Sequence, residues 1–136
     1  MPAGYSGTPL VKKLGIKPSM KVAFIDAPAQ YLDLLGELPA DLRVLRRLGR
    51  GMDFVHFFSA SYTRLERRLP ALKRSLAYDG MLWLSWPKKS SKLDKDLAEG
   101  DVRTMGLQSG LVDVKVCAVD EDWSGLKFVY RLQDRK

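Results

Sequence analysis

Two groups of side chains in this sequence have the chemistry to hold a charged ligand. The first is Trp86-Pro87-Lys88-Lys89-Ser90-Ser91-Lys92, three ammonium groups and two hydroxyls beyond the end of an apolar stretch. Serine hydroxyls and backbone amides at the start of a helix can hold a phosphate, and the lysines add charge. The second group is acidic, Asp26 with Asp120, Glu121 and Asp122. Such carboxylates are Mg²⁺ ligands when they converge, but acidic turns are common, and no metal site is expected. The plainer alternative joins the two groups, with Lys88, Lys89 and Lys92 neutralised by Asp120, Glu121 and Asp122 across one edge. Trp86 and Trp123 flank both groups, either as stacking surfaces for a base or as aromatics that close the core.

Other reactive residues carry less. His56 stands inside the apolar run Met52–Phe58 and reads as a core histidine, and no serine, cysteine or second histidine is spaced as a nucleophile with its base. Cys117 is the only cysteine, which excludes disulfides and multi-cysteine metal sites, and it reads as a small buried apolar residue. The binding candidates are therefore Lys88, Lys89, Ser90, Ser91, Lys92, Trp86, Trp123 and Asp26, with no catalytic residue and no cofactor expected.

These residues need a scaffold, and 136 residues with 46% hydrophobic and 29% charged side chains suit one domain. The expected division is an N-terminal arm with a short helix over 1–19 and an α/β core over 20–136. No signal-like or membrane-spanning run is present, so a cytoplasmic protein without membrane contact is expected. The net charge of +7 favours anionic partners, but its arginines are dispersed over several elements, and a nucleic-acid surface would require them on one face.

Local patterning predicts the elements. Thr8, Pro9 and Gly15 mark the cap, first turn and stop of a short helix with Leu10, Val11 and Leu14 inward. Residues 21–25 form a strand, and a helix from about Pro28 to Gly36 buries Tyr31, Leu32 and Leu35. Residues 42–46 suit a short edge strand, and Met52–Phe58 a central strand covered on both faces. A helix over about 61–77 carries Leu65, Leu69, Leu72 and Leu76 inward, and Pro70 should kink or divide it. The turn Tyr78-Asp79-Gly80 introduces a buried strand over 81–86. A helix over 94–109 turns Ala98, Val102, Met105 and Ser109 inward, with Gly100 weakening it and Asp94 and Asp96 in its first turn. Strands over 111–119 and 126–132, joined by Asp120–Gly125, close an antiparallel hairpin.

Together these elements resemble the class I methyltransferase-like Rossmann fold. The first strand matches in position, Asp53-Phe54-Val55 its fourth strand, Asp79–Leu84 its fifth, and Gly110-Leu111-Val112 with the hairpin its closing pair. The resemblance implies a three-layer α/β sheet, mostly parallel, ending in an antiparallel hairpin. Tyr5-Ser6-Gly7-Thr8-Pro9-Leu10, Ser85-Trp86-Pro87-Lys88-Lys89, Val116–Glu121 and Trp123–Lys127 are further similar to an uncharacterised bacterial domain-of-unknown-function family, which implies no activity.

Two departures from a working methyltransferase stand out. The turn after the first strand is Asp26-Ala27-Pro28, without the glycine loop that lets a cofactor approach the backbone, and Arg46 and Arg47 stand where an acid would meet the ribose. The connection Arg47–Gly51 reaches only about 17 Å, too short for a helical crossover, so the edge strand is either very short with an extended return or antiparallel. One helix and one strand of the full fold are then missing.

The function these features favour is a non-catalytic methyltransferase-like domain that binds an anionic small molecule or a protein partner. The alternatives are a divergent methyltransferase or nucleotide-dependent transferase, a structural protein that forms a homo-oligomer, and a nucleic-acid binder.

Overall fold

The computed structural model describes residues 8–135. Within them the elements are α1 (Leu10–Leu14), β1 (Lys21–Ile25), α2 (Tyr31–Leu35), β2 (Arg43–Leu45), β3 (Met52–Phe58), α3 (Tyr62–Ser75), β4 (Leu76–Pro87), α4 (Glu99–Gln108), β5 (Leu111–Ala118) and β6 (Trp123–Tyr130). They form one six-stranded sheet in the order β2-β1-β3-β4-β6-β5. The first four strands of that order run parallel, and β6 returns antiparallel to both β4 and β5. Helices lie on both faces, so the expected three-layer architecture holds.

Each face has its own apolar layer. Leu65, Leu69 and Leu72 of α3 and Val102 of α4 pack with Ala23, Val55, Phe57, Leu82 and Leu84. On the opposite face Leu14, Tyr31 and Leu35 pack with Val22, Phe54, Phe58 and Trp83. Covering on both sides explains why β3 reads as a continuous apolar run rather than an alternating one. Trp83 also anchors α1, its indole N–H donating to the Leu14 carbonyl at 2.8 Å. Gly15 stops α1 in the left-handed region at φ 88°, as its sequence predicts, whereas Pro9 and not Thr8 stands at its N-cap.

Several boundaries differ from the sequence reading. The helix predicted from Pro28 begins at Tyr31, and Leu32 is 59% exposed rather than buried, because this single turn faces the sheet only through Tyr31 and Leu35. Helix α3 runs unbroken through Pro70 and ends at Ser75, so Leu76 is buried as the first residue of β4 instead of the last leucine of the helix. The predicted turn at Tyr78-Asp79-Gly80 is a bulge inside β4, between the pairs Met52↔Leu76 and Phe54↔Met81. A Cβ on Gly80 would lie 2.4 Å from the Met52 carbonyl, so only glycine fits there. The last helix starts at Glu99, five residues later than Asp94. Ala98 is its exposed N-cap and Ser109 its half-buried C-cap, which leaves Val102, Met105 and Gly106 as its buried residues. The final hairpin is tighter than expected: β6 begins at Trp123, and the Val119 amide donates to the Trp123 carbonyl at 2.8 Å. Tyr5-Ser6-Gly7 of the motif Tyr5–Leu10 lie outside the described residues.

The short connection between β2 and β3 resolves as an extended return. Strand β2 is three residues long and parallel to β1, and residues 46–51 double back over the face that carries α3. Leu48 packs onto that apolar layer, and the Lys21 ammonium donates to the Arg50 carbonyl at 2.7 Å. Only β2 lies beyond β1 on this side, where a dinucleotide-binding sheet has two strands. Among the described residues no helix is long and apolar enough to cross a membrane.

Candidate functional site

Strand order reverses between β1 and β3, and in open parallel sheets ligands sit beyond the carboxyl ends of the strands near such a point. Asp26 follows β1 directly. Its φ is 58°, the left-handed conformation for which glycine is the default and aspartate a tolerated substitute. The turn therefore keeps a glycine-like backbone yet carries a side chain. That carboxylate is paired with the guanidinium of Arg64 in the first turn of α3, with Arg64 Nε donating to Oδ2 at 3.1 Å. The ion pair spans the ends of β1 and β3, where a phosphate or sugar would otherwise approach the backbone. At the end of β2, Arg46 and Arg47 are both exposed, so no carboxylate follows that strand.

The loop after β4 is held by polar contacts, but not by its lysines. The Lys88 amide donates to the Asp122 carbonyl at 2.8 Å, and the Ser91 hydroxyl donates to the Asp122 carboxylate at 2.9 Å. Asp120 closes the hairpin turn, accepting from the amides of Asp122 and Trp123 at 2.8 Å each and from the Gln30 side chain at 3.0 Å. The expected pairing of Lys88, Lys89 and Lys92 with the acidic turn is not what joins these segments: a serine and a backbone amide do so. Among the described residues no three His, Cys, Asp or Glu side chains gather in a metal-binding arrangement.

Nor does the loop start a helix. Residues 88–98 wander before α4, and Asp96, expected in that helix's first turn, instead accepts the Tyr62 amide at 2.7 Å, at the start of α3. It complements the dipole of a different helix from the one its position in the chain suggests. The Lys95 ammonium is satisfied by the carbonyls of Ser91 and Leu93, at 2.8 and 3.2 Å.

The predicted binding set is thus divided among separate places. Trp86, Lys88 and Lys89 line a groove of about 710 Å³ together with Pro87, Leu97 and Ser124. Trp86 is buried and belongs to the wall, its side chain packed in the layer under α3 and α4. Trp123 lies on the other side of the sheet edge, edge-to-face with Phe58 at 5.3 Å, and lines a second depression of about 500 Å³ with Arg64 and Asp96. The two tryptophans do not stack on each other. Ser91 serves the hairpin, Ser90 and Lys92 are exposed in the loop, and Asp26 is engaged by Arg64.

His56 is the core histidine that its place in the apolar run predicts, but its two partners are not legible in the sequence. His56 is fully buried, with Nδ1 2.7 Å from the Tyr31 hydroxyl and Nε2 2.7 Å from the Ser85 hydroxyl. A neutral imidazole has one N–H and one lone pair, so one hydroxyl donates to the ring while the other accepts from it. Burial pushes the His56 pKa down to about 3 and the Tyr31 phenol well above its usual range, so both are neutral. The serine–histidine contact has the form of a nucleophile with its base, but Ser85 is buried and the histidine's other partner is a phenol instead of a carboxylate. It is a satisfied polar chain inside the core. The alternation of Phe54, His56 and Phe58 along one face of β3 was the available signal, since Tyr31 and Ser85 stand in strand or helix positions facing the same layer.

Comparison with known proteins agrees with this architecture. No family model matches the chain, and no curated protein matches it in sequence. Among solved structures, the chain is similar to a putative type 11 methyltransferase from Sulfolobus solfataricus, with a TM-score of 0.61, 16% identity, and 93% of this chain and 92% of that one covered. A SAM-dependent methyltransferase from Aquifex aeolicus gives a TM-score of 0.57 at 16% identity, covering 88% and 86% of the two chains. Fibrillarin from Aeropyrum pernix, solved with natively bound S-adenosyl-L-methionine, gives 0.58 at 12% identity, covering 85% and 69%. At these identities the likeness concerns the fold, which is that of the Rossmann-like SAM-dependent methyltransferases.

Proposed function

We propose that this chain is a methyltransferase-fold domain that does not transfer methyl groups and that holds an anionic small molecule at the carboxyl edge of its sheet. The observation that carries the reading is the groove of about 710 Å³ at the end of β4, with Lys88 and Lys89 at its rim. Neither ammonium makes an ion pair within the described residues, while the neighbouring Lys95 is committed to backbone carbonyls. Trp86 and Pro87 give the groove an apolar wall, and Ser124 gives it a hydroxyl. An apolar wall with a few convergent polar groups is the usual composition of a small-molecule site. Asp96 and Glu99 also line the groove, so the ligand must place its negative charge toward the lysines and away from the start of α4.

The absence of methyl transfer rests on the other end of the edge. A side chain at Asp26, engaged by Arg64, stands where cofactor binding would need bare backbone, and Arg46 and Arg47 follow β2 in place of a ribose-binding acid. Pyrophosphate and nucleoside triphosphates, titrated calorimetrically, test the groove. Binding that disappears in Lys88→Ala/Lys89→Ala with an unchanged melting temperature is the expected result, because exposed charges contribute little to folding. Equal binding by that variant would overturn the assignment.

A further inference from the structure

The charge of this molecule is concentrated on one flank. Between Arg43 and Ser75 the chain carries nine Lys and Arg residues against Asp53 and Glu66, a net +7 that equals the formal charge of the entire chain. The remaining residues therefore sum to zero. In sequence these cations belong to three different elements; in the fold most of them meet.

Helix α3 turns Leu65, Leu69 and Leu72 toward the sheet. At 100° per residue, Arg64 and Arg68 then fall on its flank toward β1 and β2, Arg67 and Arg74 on the outward ridge beside that flank, and Glu66 on the opposite flank. Two contacts orient the helix: Arg64 reaches Asp26 at the end of β1, and Glu66 and Lys73 line the cleft toward α4, whose lining also includes the outward Arg74. The return from β2 completes the surface. Its Leu48-Gly49-Arg50 and the Ala71, Arg74 and Ser75 of α3 enclose a groove of about 570 Å³. Arg43 pairs with Lys21, two residues before Ala23, so it shares the α3 face of the sheet. Arg46 and Arg47 are exposed on the return itself.

These cations are not consumed by the fold. Of the eight arginines between Arg43 and Arg74, Arg64 alone has an ion pair within the described residues. The Nε of Arg68 is buried with no hydrogen-bond partner at all, an uncommon and costly state for a guanidinium. A planar guanidinium is suited to bidentate contact with phosphate.

We infer that the flank formed by α3, β2 and the return between β2 and β3 binds the phosphate backbone of a double-stranded nucleic acid. Arg64 to Arg74 extends about 15 Å along the helix axis, and the two strand spacings to β2 add about 10 Å across it. That footprint spans several phosphates of a duplex. Single strands are held by positive grooves interleaved with stacking rings, and this flank has none: exposed Tyr62 lines the cleft toward α4, and Tyr78 packs edge-to-face on Tyr130. Contacts of this kind position a duplex without reading its bases. The inference is independent of the groove at Lys88 and Lys89, which lies at the carboxyl end of β4.

Fluorescence anisotropy with a labelled RNA duplex of about 20 base pairs, and with the matching DNA duplex, provides the test at roughly 50 and 200 mM salt. Both duplexes should bind, with affinity falling steeply as salt rises. Arg50→Glu/Arg74→Glu should weaken binding at least about tenfold and flatten the log–log salt slope by about two, while Lys88→Ala/Lys89→Ala leaves it unchanged. Melting curves confirm that the variants are folded, and Arg46→Gln/Arg47→Gln, on the exposed return, replaces the charge reversal if it is not. Undiminished binding by a folded variant would overturn the inference. So would no binding at low salt, or equal affinity for polyglutamate or for a single strand.

Discussion

The two flanks of the sheet are built differently. On the β4-β6-β5 side, two long antiparallel strands and α4 bury Val102, Leu111, Leu126 and Phe128, with Val114 and Val116 exposed on the edge strand β5. The glycines there are fitted to their neighbours. A Cβ at Gly106 would lie 2.1 Å from the Phe128 ring, itself fully buried. On the β2-β1 side, a three-residue strand and a six-residue return take the place of a full crossover, and the surface carries unpaired arginines. One flank shows the tolerances of a structure kept for packing. The other has one strand and an extended return where the full fold has more, and it carries the chain's excess charge.

If that contrast is right, the largest effects on stability belong to the closed flank. Gly106→Ala should destabilise by about 2–3 kcal/mol, because neither the helix backbone nor a buried ring can move aside easily. Urea denaturation measures it, and a loss under about 0.5 kcal/mol would mean that α4 is loosely seated.

A second effect, present only in acid, lies at the centre, between the flanks. The His56 pKa is lowered to about 3 by burial, whereas the unfolded chain titrates near the ordinary histidine value. Between about pH 6.5 and pH 3 the unfolded state thus binds a proton that the native state refuses. Stability is fully present above that window and falls as the pH drops through it, by at most about 1.4 kcal/mol per pH unit. His56→Gln should flatten this dependence relative to the native chain in urea titrations at pH 4 to 7; parallel curves would show that the imidazole can charge in place.

The smallest effect belongs to the open flank. Arg46→Gln/Arg47→Gln should change the unfolding free energy by less than about 0.5 kcal/mol, since exposed charges away from packing rarely matter to folding. A larger loss would make those arginines structural and dissolve the distinction between the flanks.

How far sequence reaches differs along the same lines. β1 and β3 are legible to the residue because doubly covered strands leave uninterrupted apolar runs. The start of α4 is not, because Asp94 and Asp96 look like a helix's first turn, while in the fold Asp96 receives the amide of Tyr62, thirty-four residues earlier. The basic loop was recognisable as a candidate, but its division was not. Only the hairpin geometry brings Ser91 to Asp122, and only the sheet separates Trp86 from Trp123 onto opposite layers. The arginine flank was illegible for the same reason: its members come from a strand, a return and a helix that the register alone aligns.

The central claim is that the fold of a methyltransferase persists here without its methyl-donor site. Titration calorimetry with S-adenosylmethionine tests it most directly, using a chain whose melting curve confirms that it is folded. With the Asp26–Arg64 pair at the end of β1 and arginines after β2, no saturable heat should appear up to about millimolar ligand, a limit of roughly −4 kcal/mol in binding free energy. Saturable binding in the micromolar range would contradict the claim and make this chain a methyltransferase with an unusual cofactor loop.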